Sequence, residues 1–581
     1  MINASKDKLQ SYFHGNIQYK IPFFQRSYVW REDNWESLWE NIFQVYTEAT
    51  DNKPKEHFIG TLITKQIPQM KLGENWHDLI DGQQRLTTVS ILFKSLFDCC
   101  KGTLPNLKNK IEELLVFKNV HDERLFRIEL CRNDMPHYIA LIQSDLDHIK
   151  QNKENAIIEA YDFFKKKAIN LKDEDIDLLT NIILERVPVI SMLLSSDDDE
   201  QIIFDTINSL GVKLTTAELL KNYIFKDKNL YSYFDTLWEP VFEADEETVT
   251  FWDKEKTSGR VIRNNVEVLL YCYLIIETQK EIKLEQLYKE YKSWLEKKTI
   301  DEKVAFLRDL KECADMYFSF PNGEELNEIS YSDTEKRFFH IIENLSITTA
   351  YPLILYIYLK VPDITERNHI LEFLESYLVR RNICRLTTKN YNNLFISIIQ
   401  KLDKVNKEGN VINTALFKDI FTSFTEYTNI FPRNIDFEDS FRKSHLSNQN
   451  AREILFSIAL FQKNSPYHDT SKLSSSSFSV EHILPGKWQQ HWNNPALDDK
   501  GIFARNKALK TLGNLTLVTK RLNSKLTNDP WEKKKETLQK YSSLSMTTDY
   551  LSLQVWNEET ISLRANEHYN NCASKMWKYY L

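Results

Sequence analysis

The chain has 581 residues, of which 42% are hydrophobic and 27% charged, and its formal net charge is −8 at pH 7. This composition excludes a disordered or collagen-like chain, and the length predicts roughly three or four domains. The negative charge argues against a protein that coats nucleic acid. Only 12 glycines are present, and none belongs to a dinucleotide fingerprint or a P-loop, so a nucleotide would bind by another route.

The sequence also predicts where the protein works. No apolar run approaches the roughly 20 residues of a transmembrane helix. The first ten residues include Lys6, Asp7 and Lys8 and lack the apolar core of a signal peptide. The seven cysteines form no C-x-x-C pair, which predicts neither a disulfide framework nor a zinc ribbon. We therefore expect a reduced, cytoplasmic protein with no membrane partner.

Residues 1–100 have the pattern of a mixed α/β region, with short strands predicted at 58–63 and 78–80. After the second strand, Gly82 allows a sharp turn and an amphipathic helix follows. Gln83, Gln84 and Arg85 then lie in the first helical turn. Free backbone N–H groups and the Arg85 guanidinium make this turn a candidate anion or phosphate site.

Asp81, just before this turn, is suited to hold a metal ion or to orient a water molecule. The alternative is structural: Asp81 caps the helix and Arg85 pairs with it. A third segment, residues 203–222, has a structural interpretation of its own. Gly211 is typical of a helix C-terminus, and Thr215 with Glu218 is typical of a capping box.

Residues 103–425 have helical periodicity and very few glycines. A serine-rich loop at 471–477 then precedes a compact block with strand-like alternation. We expect three domains, at residues 1–230, 231–425 and 426–581.

The C-terminal block contains three ordered motifs, at residues 480–485, 512–517 and 521–525. A lone histidine on a strand is usually structural, but the spacing here is informative. His482 ends a predicted strand, Asn514 follows the next turn, and Asn523 lies nine residues later. This order resembles the His-Me finger (HNH) nucleases.

The resemblance implies that His482 is the general base and that Asn514 orients the His482 loop. Glu481 and Asn523 would supply oxygen ligands for a single Mg²⁺ or Mn²⁺ ion. Ten basic and three acidic residues lie between Arg505 and Lys540. A DNA-binding role is expected for four of the lysines, which would contact the phosphate backbone: Lys525, Lys533, Lys534 and Lys535. The alternative for this basic stretch is a solvated helix face.

The N-terminal string D-G-Q-Q-R-L-T-T at 81–88 resembles the signature of GmrSD-type restriction enzymes, whose first domain has a ParB/sulfiredoxin-like fold. The segment Pro22–Trp30 resembles the first motif of that family, with Phe24 and Ser27 where Tyr and Pro are frequent. The resemblance implies a site for GTP or another NTP formed by Gln25, Arg26, Asp81, Gly82, Gln83, Gln84, Arg85 and Thr87. Asp81 and Arg85 would take part in hydrolysis. The third segment would add Asn208, Lys221 and Asn222.

Both end modules thus resemble single-chain GmrSD-type, type IV restriction enzymes and the SspE and BrxU phage-defence proteins. The implied fold is α+β and mostly helical, with a ParB-like domain, a helical connecting region and an HNH domain. The implied function is cleavage of modified double-stranded phage DNA, regulated by NTP. The residues do not choose between glucosylated or hydroxymethylated cytosine and phosphorothioate. An HNH site cuts one strand at a time, so a double-strand break would need a homodimer or two visits.

Two other functions fit parts of the sequence. A ParB-like regulator would use the first domain as a nucleotide switch and the last only to bind DNA. The complete set of Glu481, His482, Asn514 and Asn523 argues against it. A nucleotide hydrolase without nuclease activity is the second alternative.

Overall fold

The computed structural model describes residues 4–22, 25, 27–50, 56–67, 75–119, 121–131, 133–194, 216–258, 261–464, 471–492 and 497–581. The chain divides into two compact units, Met1–Asp235 and Thr236–Leu581, called here the N-terminal and C-terminal units. The fold is a mostly helical α+β fold, as the sequence predicts.

The N-terminal unit contains both strands and helices. Its strands are β1 (Ala4–Lys8), β2 (Gln18–Lys20), β3 (Thr61–Gln66), β4 (Trp76–Asp81), β5 (Val116–Lys118), β6 (Arg124–Phe126), β7 (Ile128–Glu129) and β8 (Pro188–Leu194). Its helices are α1 (Gln10–Phe13), α2 (Glu32–Thr50), α3 (Gln83–Cys99), α4 (Leu107–Leu115), α5 (Met135–Gln143), α6 (Leu146–Gln151), α7 (Ala156–Ala168), α8 (Asp173–Arg186), α9 (Thr216–Ile224) and α10 (Tyr231–Tyr233).

A small mixed sheet organises this unit, with the strand order β1-β8-β3-β4-β2-β7. β3 is antiparallel to β4 and parallel to β8, and β2 is parallel to both β4 and β7. Helix α3 packs against α7 and α4, while α2 packs against α7 and α8. Leu62 of β3, Leu79 of β4 and Leu92 of α3 share one apolar core. The sheet and α3 therefore fix the turn between β4 and α3.

The strand predicted at 58–63 begins later, at Thr61. Gly60 precedes it with φ +109°, a backbone conformation outside the strand region, and this explains the shift. The strand predicted at 78–80 extends over Trp76–Asp81.

The C-terminal unit is mainly helical. Its helices are α11 (Glu239–Phe242), α12 (Glu246–Asp253), α13 (Asn265–Thr278), α14 (Leu287–Leu295), α15 (Ile300–Phe318), α16 (Thr334–Asn344), α17 (Tyr351–Lys360), α18 (Ile364–Ile383), α19 (Tyr391–Lys407), α20 (Thr414–Thr422), α21 (Asn434–Lys443), α22 (Asn448–Lys463), α23 (Asp499–Ala508), α24 (Lys520–Leu526), α25 (Trp531–Tyr541), α26 (Ser545–Thr548), α27 (Glu558–His568) and α28 (Ser574–Met576). Its strands are β9 (Glu255–Ser258), β10 (Val261–Asn264), β11 (Glu328–Ser330), β12 (Lys472–Ser474), β13 (Phe478–His482) and β14 (Leu515–Thr519).

Two apolar cores lie around β13 and β14. The larger core combines Ile329 of β11 and Val379 of α18 with Leu455 of α22 and Leu517 of β14. β11 also pairs antiparallel with β12. The smaller core is built from residues of the C-terminal block, among them Ile483, Leu484, Trp488, Val518, Leu522, Trp531 and Trp556. The predicted boundary between residues 425 and 426 therefore falls inside one compact unit.

Two further observations concern the chain as a whole. Within the described ranges, no helix is long and apolar enough to cross a membrane. All seven cysteines are free thiols, and six of them are buried.

Candidate active sites

Two antiparallel strands and the helix after them bring the three C-terminal motifs together. β13 pairs with β14, so that His482 at the end of β13 lies opposite Leu515. Thr519 ends β14, and its hydroxyl accepts a hydrogen bond from the backbone N–H of Leu522 at 3.3 Å. This cap starts α24, which packs against both strands. The result is a compact strand–strand–helix element.

His482 is half-buried at the end of β13. Burial lowers the pKa of its imidazole below the usual value, and the ammonium groups of Lys534 and Lys510 lower it further. Within the described residues, no hydrogen bond occupies its ring nitrogens. The imidazole is therefore neutral at neutral pH and can accept a proton.

Asn514 is fully buried and clamps the backbone that follows His482. Its Nδ2 donates to the carbonyls of Leu484 and Leu509, both at 2.9 Å. Its Oδ1 accepts from the Leu484 N–H at 2.8 Å and from the Trp556 indole at 3.1 Å. The orienting role predicted for Asn514 requires contacts of this kind.

Glu481 forms a buried ion pair with Lys534. The Lys534 ammonium contacts Oε1 of Glu481 and donates to the His482 carbonyl at 2.9 Å. The Lys534 side chain is 0% exposed and that of Glu481 is 9% exposed. Burial raises the pKa of Glu481, while Lys534 acts in the opposite direction. Lys534 therefore holds the Glu481 carboxylate in place. Because it is buried, Lys534 cannot contact DNA at the surface.

Asn523 lies on the same side of β13 as Glu481. Its Nδ2 donates to the Ser479 hydroxyl at 3.0 Å and to the Val480 carbonyl at 3.1 Å. Side chains two residues apart leave a strand on the same face, so Ser479 and Glu481 both face Asn523. Among the described residues, no donor reaches Oδ1 of Asn523. This amide oxygen is therefore left for another partner.

The donors on this face fit a hard divalent cation. Glu481 offers a carboxylate and Asn523 an amide oxygen, and Mg²⁺ prefers oxygen ligands. Across the described residues, no group of three or more His, Cys, Asp or Glu side chains could hold a metal ion. Mg²⁺ commonly keeps several waters and takes only one or two protein carboxylates together with phosphate oxygens, so two protein ligands suffice.

The four lysines predicted to contact DNA lie in different environments. Lys525 is exposed, with its ammonium 4.5 Å from the centre of the Tyr541 ring. Lys533 is exposed but pairs with Asp529 at 3.0 Å. Lys535 is half-buried and donates to the Leu553 carbonyl at 3.0 Å, while Lys534 is buried. Consecutive helical residues point about 100° apart, so Lys533, Lys534 and Lys535 cannot share one face of α25.

In the N-terminal unit, the turn from β4 to α3 has the predicted form. Helix α3 begins at Gln83, so the prediction that Gln83, Gln84 and Arg85 occupy its first turn is confirmed. Gly82 precedes the helix with φ +93°, and no side chain caps its N-terminus. A Cβ at Gly82 would lie 2.2 Å from Leu62 Cδ2 and 2.9 Å from the Thr61 carbonyl oxygen. The glycine is therefore required for close packing against β3.

Asp81 and Arg85 form an ion pair across this turn, with Nη2 of Arg85 3.2 Å from Oδ2 of Asp81. The structural alternative is therefore half right, because the pair exists but Asp81 does not cap α3. A Cβ at Gly60 would lie 2.2 Å from Nη1 of Arg85. Gly60 thus leaves room for the guanidinium at the surface of the turn.

The two N-terminal motif segments are bound to each other. The Gln84 side chain accepts from the Val29 N–H at 2.9 Å and donates to the Ser27 carbonyl at 3.1 Å. Nε2 of Gln25 donates to the Ile80 carbonyl at 3.3 Å. Within the described residues, the buried Oε1 of Gln25 has no hydrogen-bond partner. This oxygen is an acceptor suited to a bound ligand or water.

The other residues predicted for the nucleotide site differ in their burial. Thr87 is buried inside α3 and Gln83 is half-buried, whereas Lys221 is buried on α9. Oδ1 of Asn222 is buried with no hydrogen-bond partner among the described residues. Two of the predicted ligands, Arg26 and Asn208, lie outside the described residues.

Sequence reasoning did not find the residues that anchor the first motif. The carboxylate of Asp134 accepts from the Tyr28 N–H at 2.6 Å. The Tyr28 hydroxyl contacts the Thr88 hydroxyl at 2.6 Å and accepts from the Trp35 indole at 2.8 Å. Asp134 is far from Tyr28 along the chain, so no local pattern could have indicated it.

Two family models match the chain. The N-terminal domain of the GmrSD restriction endonuclease matches residues 9–225, and the C-terminal domain of GmrSD restriction endonucleases matches residues 431–568. Together they cover more than half of the sequence. The chain belongs to the GmrSD restriction endonuclease family. No curated protein sequence matches it.

Membership of the GmrSD family makes this chain a restriction endonuclease of phage defence, an enzyme that acts on DNA. The N-terminal candidates Asp81 and Arg85 lie inside the first matched segment. The C-terminal candidates, from Glu481 to Asn523, lie inside the second. The likeness of this GmrSD protein to SspE and BrxU stays a prediction.

Proposed function

We propose that this GmrSD family member is a modification-dependent DNA endonuclease with a His-Me finger site in its C-terminal unit. Its N-terminal unit would be a ParB-like domain that binds and hydrolyses an NTP. The observation that carries the nuclease proposal is the strand–strand–helix element. It carries Glu481 and His482 at the end of β13, holds Asn523 against the preceding residues of that strand, and fixes the His482 loop through Asn514.

The chemistry required is hydrolysis of a phosphodiester bond. A water molecule must lose a proton near neutral pH and attack phosphorus in line with the leaving oxygen. The lowered pKa of His482 keeps its imidazole neutral and ready to accept that proton. Asn514 holds the following backbone, which limits the orientations available to His482.

Glu481 and Asn523 would hold Mg²⁺ or Mn²⁺ through their oxygens. When bound, the ion supplies positive charge that stabilises the developing charge on the nonbridging and leaving oxygens. Lys534 contributes by holding the Glu481 carboxylate in one position. Lys525 and Lys533 remain the surface cations for phosphate contacts, whereas Lys534 and Lys535 are engaged inside the protein.

In the N-terminal unit, the uncapped first turn of α3 and the Arg85 guanidinium support a phosphate site for GTP or another NTP. The unpaired Oε1 of Gln25 would accept a hydrogen bond from the nucleotide or a water molecule. Asp81 would orient the water that attacks the terminal phosphate. Asn208, Lys221 and Asn222 would complete the pocket.

The nuclease proposal is tested with plasmid and phage DNA that is unmodified, hydroxymethylated, glucosylated or phosphorothioated. Each substrate is incubated with Mg²⁺, with and without GTP or ATP. We expect nicking of at least one modified DNA by wild type and none by His482→Ala. If wild type cuts no substrate under any of these conditions, the nuclease proposal is wrong.

NTP hydrolysis is measured on the same preparations. We expect it to survive His482→Ala and to be lost in Asp81→Ala and in Arg85→Ala. Hydrolysis that persists in both N-terminal variants would overturn the assignment of this site. Nicked circles that accumulate before linear DNA would indicate successive visits, while linear DNA formed at once would indicate a homodimer.

A further inference from the structure

Helix α23 lies in the segment that connects the two candidate active-site strands, β13 and β14. Arg505 anchors it to the protein. The buried guanidinium pairs with Glu558, donates to the Trp492 carbonyl at 2.9 Å and lies 5.1 Å from the centre of the Trp488 ring. One side of α23 is therefore fixed against the C-terminal unit.

The opposite side of α23 carries Lys500, Phe503 and Lys507. With 3.6 residues per turn, these three positions fall on one face, about 170° from Arg505. The Phe503 side chain is 72% exposed. Lys500 and Lys507 are also exposed, and neither forms an ion pair with any described residue. The face thus carries an aromatic ring between two cations that have no ion-pair partner, with the exposed Asp499 beside it, one turn before Phe503.

This face lies close to the candidate active site. The residue after α23, Leu509, accepts a hydrogen bond from Asn514, which clamps the backbone following His482. Leu484 follows His482 by two residues, so the C-terminal end of α23 is joined to the His482 loop through the Asn514 side chain. Phe503 lies five residues before Ala508, the last residue of α23, about 7.5 Å of helical rise.

The residue types on this face favour a nucleic acid over an apolar protein surface as the binding partner. A single exposed apolar side chain is common on protein surfaces, so the exposure of Phe503 alone carries no argument. Cations on both sides of the ring disfavour an apolar protein surface, because burial of Lys500 and Lys507 would cost desolvation. A nucleic acid offers phosphates for the cations and base faces for the ring.

We propose that Phe503 is a DNA wedge, which inserts its ring at a base step near the cleaved phosphate while Lys500 and Lys507 contact the flanking phosphates. The inference rests on the proposed nuclease function of the C-terminal unit. The wedge would grip and locally unstack the duplex beside the site of cleavage. Steps that unstack easily, such as TA and CA, would be preferred near the cut.

The test compares wild type with Phe503→Ala, in which the ring is lost, and Phe503→Trp, in which a larger ring is kept. The probe is a short DNA duplex with 2-aminopurine at alternate positions, without divalent metal so that no cleavage occurs. Fluorescence rises when a base unstacks. Tyr427→Ala is the matched control, because Tyr427 is 70% exposed in the same unit.

We expect a fluorescence increase with wild type and Phe503→Trp and none with Phe503→Ala, whose DNA affinity falls about 10-fold. Hydrolysis of bis(p-nitrophenyl) phosphate, too small to need a wedge, should be unchanged in Phe503→Ala. Unchanged fluorescence and affinity in Phe503→Ala would overturn the proposal. A Phe503→Ala effect on self-association with DNA binding intact would also overturn it, because the ring would then dock a second copy.

The same measurements separate this inference from the function on which it rests. If wild type unstacks the duplex in a Phe503-dependent way but cuts no DNA with metal, the nuclease proposal fails and the wedge stands. If Lys500→Gln and Lys507→Gln weaken binding while Phe503→Ala does not, the face is only a phosphate contact and the wedge is wrong.

Discussion

The side chain of Asn514 and the backbone of Leu484 exchange two hydrogen bonds, one in each direction, at 2.8 and 2.9 Å. Leu484 follows the candidate base His482 by two residues. The amide therefore fixes, from inside the protein, the backbone that follows His482.

Asn514→Ala removes this clamp and leaves buried polar groups of Leu484 and Leu509 unpaired. We expect a loss of about 3 kcal/mol in the free energy of unfolding and a fall of about 100-fold in nicking rate, because His482 is no longer held. Urea unfolding and plasmid nicking measure the two effects. Asn506→Ala, which removes a single hydrogen bond from the Trp488 indole at 3.0 Å, is the control. Unchanged nicking in Asn514→Ala would show that the clamp does not serve catalysis.

The pH profile of nicking tests the state of His482. Burial and nearby cations lower the pKa of its imidazole, so the neutral form persists to pH values below the ordinary 6.5. We expect the rate at saturating DNA to be flat above pH 6.5 and to fall at lower pH. Lys510→Gln removes one of these cations, so its acid limb should move to higher pH, while Lys500→Gln should leave the profile in place. A rate that still rises between pH 7 and 8 would contradict a neutral His482.

The buried pair of Glu481 and Lys534 predicts a strong thermodynamic coupling. Lys534→Met leaves a buried carboxylate without a partner and should lower the free energy of unfolding by about 3–5 kcal/mol. Glu481→Gln with Lys534→Met should cost less than the sum of the two single changes. Lys533→Met, at the neighbouring exposed position, should change stability by less than about 1 kcal/mol. Additive effects in this double-mutant cycle, measured by urea unfolding, would argue against the pair.

Gly82→Ala tests the turn before α3. The added Cβ would meet Leu62 and the Thr61 carbonyl, and Gly82 also has a positive φ. We expect a loss of about 2–5 kcal/mol, from left-handed strain and overpacking together. Gly15→Ala is the matched control, because Gly15 has φ +75° but open space around it, so only about 1–2 kcal/mol should be lost. Equal losses in the two variants would show that contact with β3 is unimportant.

His568 gives the C-terminal unit a pH-dependent stability. It is fully buried, and burial followed by the Arg564 charge lowers the pKa of the imidazole well below 6.5. The unfolded chain therefore binds the proton more readily, so the stabilisation is complete above about pH 6.5 and is lost as pH falls. His568→Phe should flatten the dependence by up to about 1.4 kcal/mol per pH unit between pH 6.5 and 5. The free energy of unfolding is measured at several pH values, and His491→Phe, at an exposed position, is the control. An unchanged pH dependence in His568→Phe would contradict the prediction.

The sequence predicted those parts of the sites that depend on neighbouring residues. The strand, glycine turn and helix at 76–99 follow from local periodicity, and the three C-terminal motifs do assemble on adjacent elements. The helical period also predicts that Lys533, Lys534 and Lys535 point in different directions around α25. A count of charges along the chain does not contain this information.

The contacts between distant segments could not be predicted. Lys534 reaches Glu481 from a different helix, and Asp134 reaches Tyr28 across the N-terminal unit. Each contact depends on how whole elements pack, and neither residue type has a pattern that signals its partner. The interior position of Lys534 is therefore a property of the tertiary structure.

The larger apolar core has a consequence for dissecting the protein. Ile329 and Val379, from the helical region, pack in the same core as Leu517 of β14. A fragment that began at residue 426 would lose β11, the partner of β12, and would expose the apolar face left behind. Such a fragment would aggregate, and a loss of activity in it would not report on the chemistry of the candidate site. Because Val379 and Leu517 share this core, a change of side-chain volume near one of them would need a compensating change near the other. We therefore expect the two regions to covary in evolution.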